Sequence, residues 1–429
     1  MQTLIPLQSN EEGSVGSHKP LTTDIVVPDG GFEAWRTIIG AWLVLFATFG
    51  YVFTFGVYED FYAREYLANY SPSSISWIGS FQLMMPFLLG PFAGKIFDDG
   101  GFHALEISGG LIFTFSVFML SLAKPGQYYQ IFLAQAVGMG LGLGLTFVPT
   151  LGIVVHHFRR KRGLASGIAL SGSSIGATIF PITSSQLINK LGFGQTIRVT
   201  GALIPPCLVL GNCLMRTRLP PRSKRAAAPK PDIKSFFREA TYMWAVVGMF
   251  FSLLGLYFPI IYIQLFSVQH AVDSTLAFYS VAMMNIAGAV VRVLANHLGD
   301  LFGPFNVQLI CSVCCGAIIW AMLSIRNGAS LIIISLLYGA FSGAWLSLAF
   351  ACFASLARTP EEVGARTGIA LALVSIGVLV SAPIQGALLR DTFVWINAVA
   401  FATTMMFAGT ACTAVTRTLR SRQTKDWRA

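Results

Sequence analysis

Residues 285–306 read NIAGAVVRVLANHLGDLFGPFN, an apolar segment that carries one cation, Arg292, and ends in a glycine-containing turn. An arginine in a lipid-spanning helix costs roughly 2.5–3.5 kcal/mol on insertion scales, so a structural or functional interaction is expected to offset it. The turn contains Asp300 and Gly303, and it occurs a second time at residues 93–102, AGKIFDDGGF. The fold and the function can be predicted from these two features, a cation inside an apolar segment and a repeated turn.

The composition is that of an integral membrane protein. Of 429 residues, 54% are hydrophobic and 11% are charged, whereas about 25% of an ordinary soluble domain is charged. The apolar residues form twelve segments, each long enough to cross about 30 Å of hydrocarbon as a helix. We predict an all-α membrane protein with twelve transmembrane helices near 37–58, 75–97, 104–123, 128–156, 164–188, 199–217, 241–265, 275–298, 305–325, 329–356, 364–389 and 393–416.

The positive charge lies mainly in loops. A formal charge of +10 arises from 29 lysine and arginine residues against 19 aspartate and glutamate residues, and most of the cations fall on one side of the predicted helices. Loops rich in lysine and arginine stay in the cytoplasm, so both termini are predicted to be cytoplasmic, in a multi-pass protein of the plasma membrane. The same distribution argues against nucleic acid as a partner and for the lipid bilayer.

The seven cysteines all lie in apolar segments, where they are expected to be small packing residues. Cys311, Cys314 and Cys315 have no histidine at ligand spacing, so neither a metal site nor a cofactor is predicted.

Five regions are predicted along the chain. The longest internal break, a basic stretch rich in proline and alanine, separates two groups of six helices. The predicted regions are a cytoplasmic N-terminal tail at 1–36, a first six-helix bundle at 37–217, a basic cytoplasmic linker at 218–240, a second six-helix bundle at 241–416 and a cytoplasmic tail at 417–429. The end of the linker could form a short helix along the membrane surface.

The two halves of the chain match each other at a nearly constant offset. The turn at 93–102 aligns with ANHLGDLFGP at 295–304, and GLASGIAL at 163–170 aligns with GARTGIAL at 364–371. Short matches in the same order indicate a duplicated six-helix unit. Secondary transporters built from two related halves bind substrate between the halves near the middle of the membrane.

The repeated turn is predicted to form a gate on the cytoplasmic side. Its candidate residues are Asp98 and Gly101 in the first half and Asp300 and Gly303 in the second half. The glycines permit a tight bend, and each aspartate could cap a helix start or pair with a cation on a neighbouring helix. The alternative is that each aspartate is a solvated loop residue.

The repeated turn, the twelve segments and the basic central loop resemble the major facilitator superfamily. PDGGFEAW at 28–35 and HFRRKRGLASGIALSGSSIG at 157–176 resemble two motifs of its monocarboxylate-porter family, in the fungal branch. The resemblance covers residues 28–415 and implies a major facilitator fold, with two pseudo-symmetric six-helix bundles, and membrane transport.

Three departures limit what the resemblance implies. The lactate carriers of the family have a lysine in the first helix, and YVFTFGVY at 51–58 has none. They also have an aspartate one helical turn before the arginine of the eighth helix, where this chain has Gly288. Asp99 replaces the usual arginine after Asp98. Fold and transport are therefore expected, whereas proton-coupled lactate transport is not.

Arg292 is the leading candidate for substrate binding. Its counterpart in the first half is Gly90, so the fold itself does not require a cation there. The alternatives are a snorkelling arginine or a partner for Asp300. Asn285 lies near the same helix face, although a helix–helix hydrogen bond would also explain it. Further predicted cavity residues are Tyr51, Gln82, Tyr257, Tyr262 and Trp345.

The sequence thus predicts a monomeric alternating-access carrier of a small organic anion, either a monocarboxylate or an acidic fungal metabolite. Direction of transport and coupling to a proton stay open, because no Asp or Glu lies near the middle of a segment. One alternative is a carrier of a neutral or larger molecule such as a vitamin. Another is a non-transporting membrane sensor on a carrier fold. An enzyme is not expected, because no nucleophile–base pair is evident.

Overall fold

The computed structural model describes residues 29–218, 232–358, 362–389 and 394–428. Every regular element in these ranges is helical, and none of the described residues forms a strand. Most of the predicted N-terminal tail, residues 1–28, and much of the predicted linker, residues 219–231, lie outside the described residues.

Within these described ranges, twelve helical spans are long and apolar enough to cross a membrane, which confirms the predicted fold class. We number them α1 to α12 in chain order. Their bounds are Phe32–Tyr66, Ser73–Asp98, Phe102–Leu120, Tyr128–His156, Arg162–Leu191, Phe193–Leu214, Ala240–Gln269, Ser274–Phe302, Pro304–Ser324, Gly328–Ser355, Glu362–Leu389 and Trp395–Thr424.

Several spans extend further than the apolar segments predicted. The α1 helix begins at Phe32 and the α12 helix ends at Thr424, so parts of both predicted tails are helical. The α8 helix ends at Phe302, so Arg292 lies ten residues before its end, or about 15 Å at 1.5 Å per residue. Arg292 therefore lies further from the end of its helix than the predicted bound at residue 298 implies. A boundary drawn from hydropathy stops at the last apolar residues, but the polar residues beyond them still continue the backbone hydrogen bonding of the helix.

The start of α1 and the end of α12 lie on the same face of the molecule, because the number of described spans is even. The basic loop before α5 and a short helix at Ile233–Arg238 lie on this face as well. We call it the basic face, the opposite side the far face, and the helix at Ile233–Arg238 the linker helix.

The α7 span is broken into two helices, Ala240–Leu256 and Phe258–Gln269. Pro259 follows the break and cannot donate to the helical hydrogen-bond ladder. Side chains of neighbouring helices bond the carbonyls beside the break: the Gln385 amide donates to Leu254 O at 2.6 Å, and the Tyr338 hydroxyl donates to Leu256 O. The break is thus a defined feature of the fold, held by α10 and α11.

Replacing Gln385 by leucine is expected to destabilise the protein by about 0.5–1.5 kcal/mol, because Leu254 O loses its shorter hydrogen bond and keeps only the one from the Ser381 hydroxyl at 3.2 Å. The melting temperature of the purified protein in detergent measures this effect. Gln127→Leu, at an exposed loop position, is the matched control and should change stability by about 0.5 kcal/mol or less. Equal melting of the wild type and Gln385→Leu would contradict the role of Gln385.

The two halves meet along two pairs of helices, α5 with α8 and α2 with α11. Glycine allows these helices to come close. A Cβ atom at Gly167 would lie 2.9 Å from Arg292 O, and one at Gly368 would lie 3.1 Å from the Cα of Pro91. Small residues that bring helix backbones together are typical of membrane helix packing.

Candidate substrate site and gate

A narrow cavity lies between the two halves. Helices α1 and α5 of the first half and α7, α8 and α10 of the second half supply its walls. About 20 Å³ is open to the centres of water molecules, which is enough for roughly one or two waters. The lining residues are Phe53, Ser174, Ile260, Val281, Met284, Asn285, Gly288, Arg292, Gly339, Ser342, Gly343 and Leu346.

Arg292 is the one ionisable side chain among these lining residues, and it is 8% exposed. Its Nη1 atom donates to the Leu170 carbonyl at 3.2 Å and to the Ser173 hydroxyl at 2.8 Å, both on α5 of the opposite half. Its Nε atom is buried without a hydrogen-bond partner in the described part of the chain. A Cβ atom at Gly343 would lie 3.3 Å from that Nε. The glycine therefore leaves space beside an unused donor.

The charge of Arg292 has no acidic counterpart among the described residues, where four ion pairs occur and none includes it. Asp300 does not serve as its partner, because both Asp300 carboxylate oxygens accept backbone N–H groups of α5. The guanidinium is also directed to α5 and buried, which is not the arrangement of a snorkelling side chain. A buried cation without a counter-ion is costly, so an anion at this position would be stabilised.

Two other polar groups reach the cavity. The Asn285 amide donates to Val281 O at 3.0 Å in its own helix and to Ala177 O of α5 at 3.5 Å. Ser174, which the sequence analysis did not single out, lines the cavity with a buried hydroxyl that has no partner among the described residues. The sequence did not mark Ser174 as a site residue, because serine is common in membrane helices. Both groups lie on the same cavity surface as Arg292.

Tyr257 does not line the cavity that holds Arg292. It sits at the break in α7 and is 3% exposed. Tyr257 was predicted to line the cavity and does not do so in this conformation, and a part for it in substrate binding stays a prediction.

Two predicted cavity residues of the first half do not line the cavity that holds Arg292. The Tyr51 hydroxyl hydrogen-bonds with the Tyr58 hydroxyl at 2.9 Å and the Thr200 hydroxyl at 3.4 Å, and Tyr51 is 1% exposed. Gln82 is fully buried, and neither of its amide atoms has a hydrogen-bond partner in the described ranges. The expectation that they line the central cavity is not met in this conformation: Tyr51 bonds to groups of its own bundle, and Gln82 is not among the residues that line the cavity.

The same holds for two candidates of the second half. The Trp345 indole donates to the Ser312 hydroxyl at 2.8 Å and borders a separate, smaller cavity inside the second bundle. The Tyr262 hydroxyl donates to Ala382 O of α11 at 3.4 Å. Neither side chain lines the cavity that holds Arg292. A part for any of these four residues in substrate binding stays a prediction.

The aspartate of the second repeated turn joins the two halves at the basic face. Asp300 Oδ1 accepts the N–H of Gly163 at 2.9 Å, and Oδ2 accepts the N–H of Leu164 at 3.0 Å. These are free N–H groups in the first turn of α5, where the helix dipole also favours a negative charge. An acid of the second half thus caps a helix of the first half.

The first repeated turn reaches across in the opposite direction. A Cβ atom at Gly364, in the first turn of α11, would lie 3.0 Å from Asp98 Oδ2. The glycines of the two turns are not equivalent, however. Gly303 has φ +91°, whereas in the first turn the positive φ of 95° belongs to Gly100 and not to Gly101. Gly101 is required for space, since its Cβ would lie 2.6 Å from the Ile96 side chain.

Arg366 was not singled out from the sequence. Arg366 is completely buried in α11, where Nη1 lies 2.8 Å from Glu239 and Nε lies 2.9 Å from Glu362. The repeat could have identified Arg366 as a buried residue. The alignment of GARTGIAL with GLASGIAL pairs it with Ala165, which is also completely buried. A charged residue in place of a buried alanine needs its own partners.

A buried acid lies elsewhere in the first bundle. Glu106 is 4% exposed in α3 and accepts a hydrogen bond from the Thr150 hydroxyl of α4 at 2.7 Å. It does not border the Arg292 cavity.

Known proteins share this architecture and much of this sequence. The family model of the Major Facilitator Superfamily matches residues 37–359. The chain is 36% identical over 384 residues to the aspyridones efflux protein apdF of Emericella nidulans, covering 89% of this chain and 77% of the relative. It is 33% identical over 381 residues to the agnestins efflux protein AgnL12 of Paecilomyces divaricatus, covering 89% and 85%.

The fold is also that of a solved transporter structure. The human organic anion transporter MFSD10 (TETRAN) superposes with a TM-score of 0.66 at 14% identity, covering 89% of this chain and 98% of that one. Twelve membrane spans in two related bundles, a cavity between them and the family match agree with one another. The chain belongs to the Major Facilitator Superfamily and is a multi-pass membrane transporter, not an enzyme.

Proposed function

We propose that this transporter exports a small organic acid, of the kind of an acidic fungal secondary metabolite, and binds its anionic group at Arg292. The observation that carries the proposal is the buried guanidinium, which borders the cavity between the halves without an acidic partner in the described residues. A substrate anion would supply the missing counter-charge and an acceptor for the unused Nε.

The rest of the cavity suits an apolar body attached to that charge. Phe53, Ile260 and Met284 supply apolar wall, and Ser174 and Asn285 supply hydrogen-bonding groups at fixed places. Ligand sites of this kind combine mostly apolar surface with a few polar groups that fix orientation. The cavity is too narrow for such a molecule in this conformation, so binding accompanies a movement of the halves.

The closed basic face is the cytoplasmic side in this proposal, in keeping with its arginine-rich loops. Opening there, by release of Asp300 from α5 and Asp98 from α11, would admit the substrate. Reclosure and opening of the far face would release it outside. The efflux names of two relatives support this direction. Membership of the monocarboxylate-porter family, coupling to a proton, the plasma membrane and a monomeric state remain predictions.

A matched pair of probes tests the substrate class. Benzoate is expected to raise the melting temperature of the purified transporter at pH 7 more than the neutral benzamide does, because only benzoate can neutralise Arg292. The difference should vanish in Arg292→Gln, which removes the charge. Equal stabilisation by benzamide would instead favour a carrier of neutral molecules. Acetate is expected to be weaker than benzoate, since it leaves the apolar walls unfilled.

A further inference from the structure

An acidic residue of the motif before α1 holds the loop that leads into α5. The Asp29 carboxylate accepts the N–H of Arg159 at 2.5 Å and that of Arg160 at 2.6 Å, with Lys161 N at 3.5 Å. One residue further along the chain come Gly163 and Leu164, which donate to Asp300. One short segment therefore binds two acids. Residues 159–161 bind Asp29 of their own half, and Gly163 and Leu164 bind Asp300 of the other half.

The second half has the same arrangement with different chemistry. Glu239 immediately precedes α7, and its Oε2 lies 2.8 Å from Arg366 of α11 and 3.3 Å from Arg358, in the segment before α11. The Arg366 guanidinium also lies 4.5 Å from the ring centre of Phe236 in the linker helix. Between Arg358 and Arg366 lies Gly364, the contact point of Asp98.

The two acids thus occupy matching places in the fold without matching in sequence. Each comes just before the first helix of its half and binds the segment that starts the fifth helix of the same half. In both halves, the aspartate of the opposite half lies against that same helix start. One acid binds backbone N–H groups and the other binds arginines, so a shared sequence motif does not explain why both acids occupy this place. A shared requirement to hold the start of the fifth helix in position explains it.

The Asp29 contact persists at cytoplasmic pH. Its slight burial acts to raise the pKa of the carboxyl, but the N–H groups of Arg159, Arg160 and Lys161 and the Arg160 charge outweigh it, and the pKa is lowered from 3.8. A group with a lowered pKa contributes its stability above its unfolded-state pKa and loses it only as the pH falls through the folded-state pKa. The contact is therefore present throughout the range from about pH 5 to 8.

We propose that Asp29 and Glu239 are positioning residues of the gate. Asp29 fixes the start of α5 where Asp300 can cap it, and Glu239 fixes the start of α11 where Asp98 can reach it. Each acid thereby raises the proportion of carriers that are closed on the basic face. The proposal depends on the alternation of the halves and not on the identity of the substrate.

Distances across the basic face test this directly. Cys213 is exposed near the end of α6, and Thr418 is exposed near the end of α12. Spin labels at Cys213 and at Thr418→Cys, with the half-buried Cys207 and Cys314 replaced by serine, report the separation of the halves in liposomes. Loss of a charge-assisted hydrogen-bonded contact should lower the closed-to-open ratio by about tenfold or more in Asp29→Ala and in Glu239→Gln. Asp29→Asn, which keeps one acceptor oxygen, should lie between Asp29→Ala and the wild type.

Double variants that combine a change at Asp29 or Glu239 with Asp300→Ala distinguish a positioning role from a general effect on stability. Asp29→Ala should add little to Asp300→Ala, because both act through the start of α5, whereas Glu239→Gln should add its full effect to Asp300→Ala. Asp60→Asn is the control, since it breaks the exposed Asp60–Arg64 pair and should leave the distances unchanged. Unaltered distances in Asp29→Ala and Glu239→Gln, or full additivity of Asp29→Ala with Asp300→Ala, would overturn the proposal.

Discussion

Arg292→Glu is expected to abolish transport, with a loss of at least about a hundredfold in flux, while the protein still reaches the membrane. The substitution places a carboxylate against the Leu170 carbonyl and at the edge of the cavity, where it repels an anionic substrate. Breaking a buried charge interaction typically costs about 3–5 kcal/mol, which corresponds to more than a hundredfold in an equilibrium constant. Flux of an organic-acid probe, normalised to the transporter at the cell surface, measures the effect.

Two further variants sharpen the Arg292 experiment. Arg292→Lys keeps the charge but loses the planar fork that binds a carboxylate with two hydrogen bonds, so it should retain partial flux. Arg326→Glu reverses an exposed charge in a loop of the far face and should behave as the wild type. Unchanged flux of every organic anion tested in Arg292→Glu would exclude this residue as the substrate site.

Gly167→Val is expected to prevent closure of the basic face and to lower flux by at least about tenfold. A Cβ atom there would lie 2.9 Å from Arg292 O and 3.1 Å from the Cα of Val293, both backbone atoms of α8. No change of side-chain rotamer can relieve a clash with backbone, so α5 and α8 must separate. The halves meet at this pair of helices, and the separation therefore opens the gate.

Spin-label distances between α6 and α12 on the basic face would show the Gly167→Val effect as a shift to the open population. Gly56→Val is the matched control, because no atom lies within 4 Å of a Cβ at Gly56 and the position is exposed. A closed population in Gly167→Val equal to that of the wild type would show that the two helices tolerate a wider spacing.

Much of the architecture could be predicted because a lipid bilayer restricts what a chain can do. Backbone groups in hydrocarbon must be satisfied within the segment, so an apolar run of about twenty residues specifies a helix. The number of spans followed from that rule, and the duplicated turns followed from the repeat. Helix ends were less predictable, since α8 continues past its apolar part to Phe302.

The candidate site was predicted only where a charged or amide side chain interrupts an apolar helix. Arg292 and Asn285 were identified and do border the cavity, because polar groups in an apolar helix are conspicuous. Tyr51 and Trp345 were placed at the cavity without a directional signal, and they point into their own bundles. A membrane helix is apolar on its lipid side and on its packed side alike, so hydropathy does not reveal which face meets the cavity.

The sequence by itself determined the class of the protein, the twelve spans, the duplicated turn and the cation that stands out in α8. Only the tertiary structure decided which groups meet across the halves: Arg292 with α5, Asp300 with the start of α5, and Asp98 with the start of α11. The reason is physical. Span formation depends on local hydropathy, whereas these contacts join residues more than a hundred positions apart and depend on how each helix is rotated when the glycine-lined surfaces pack.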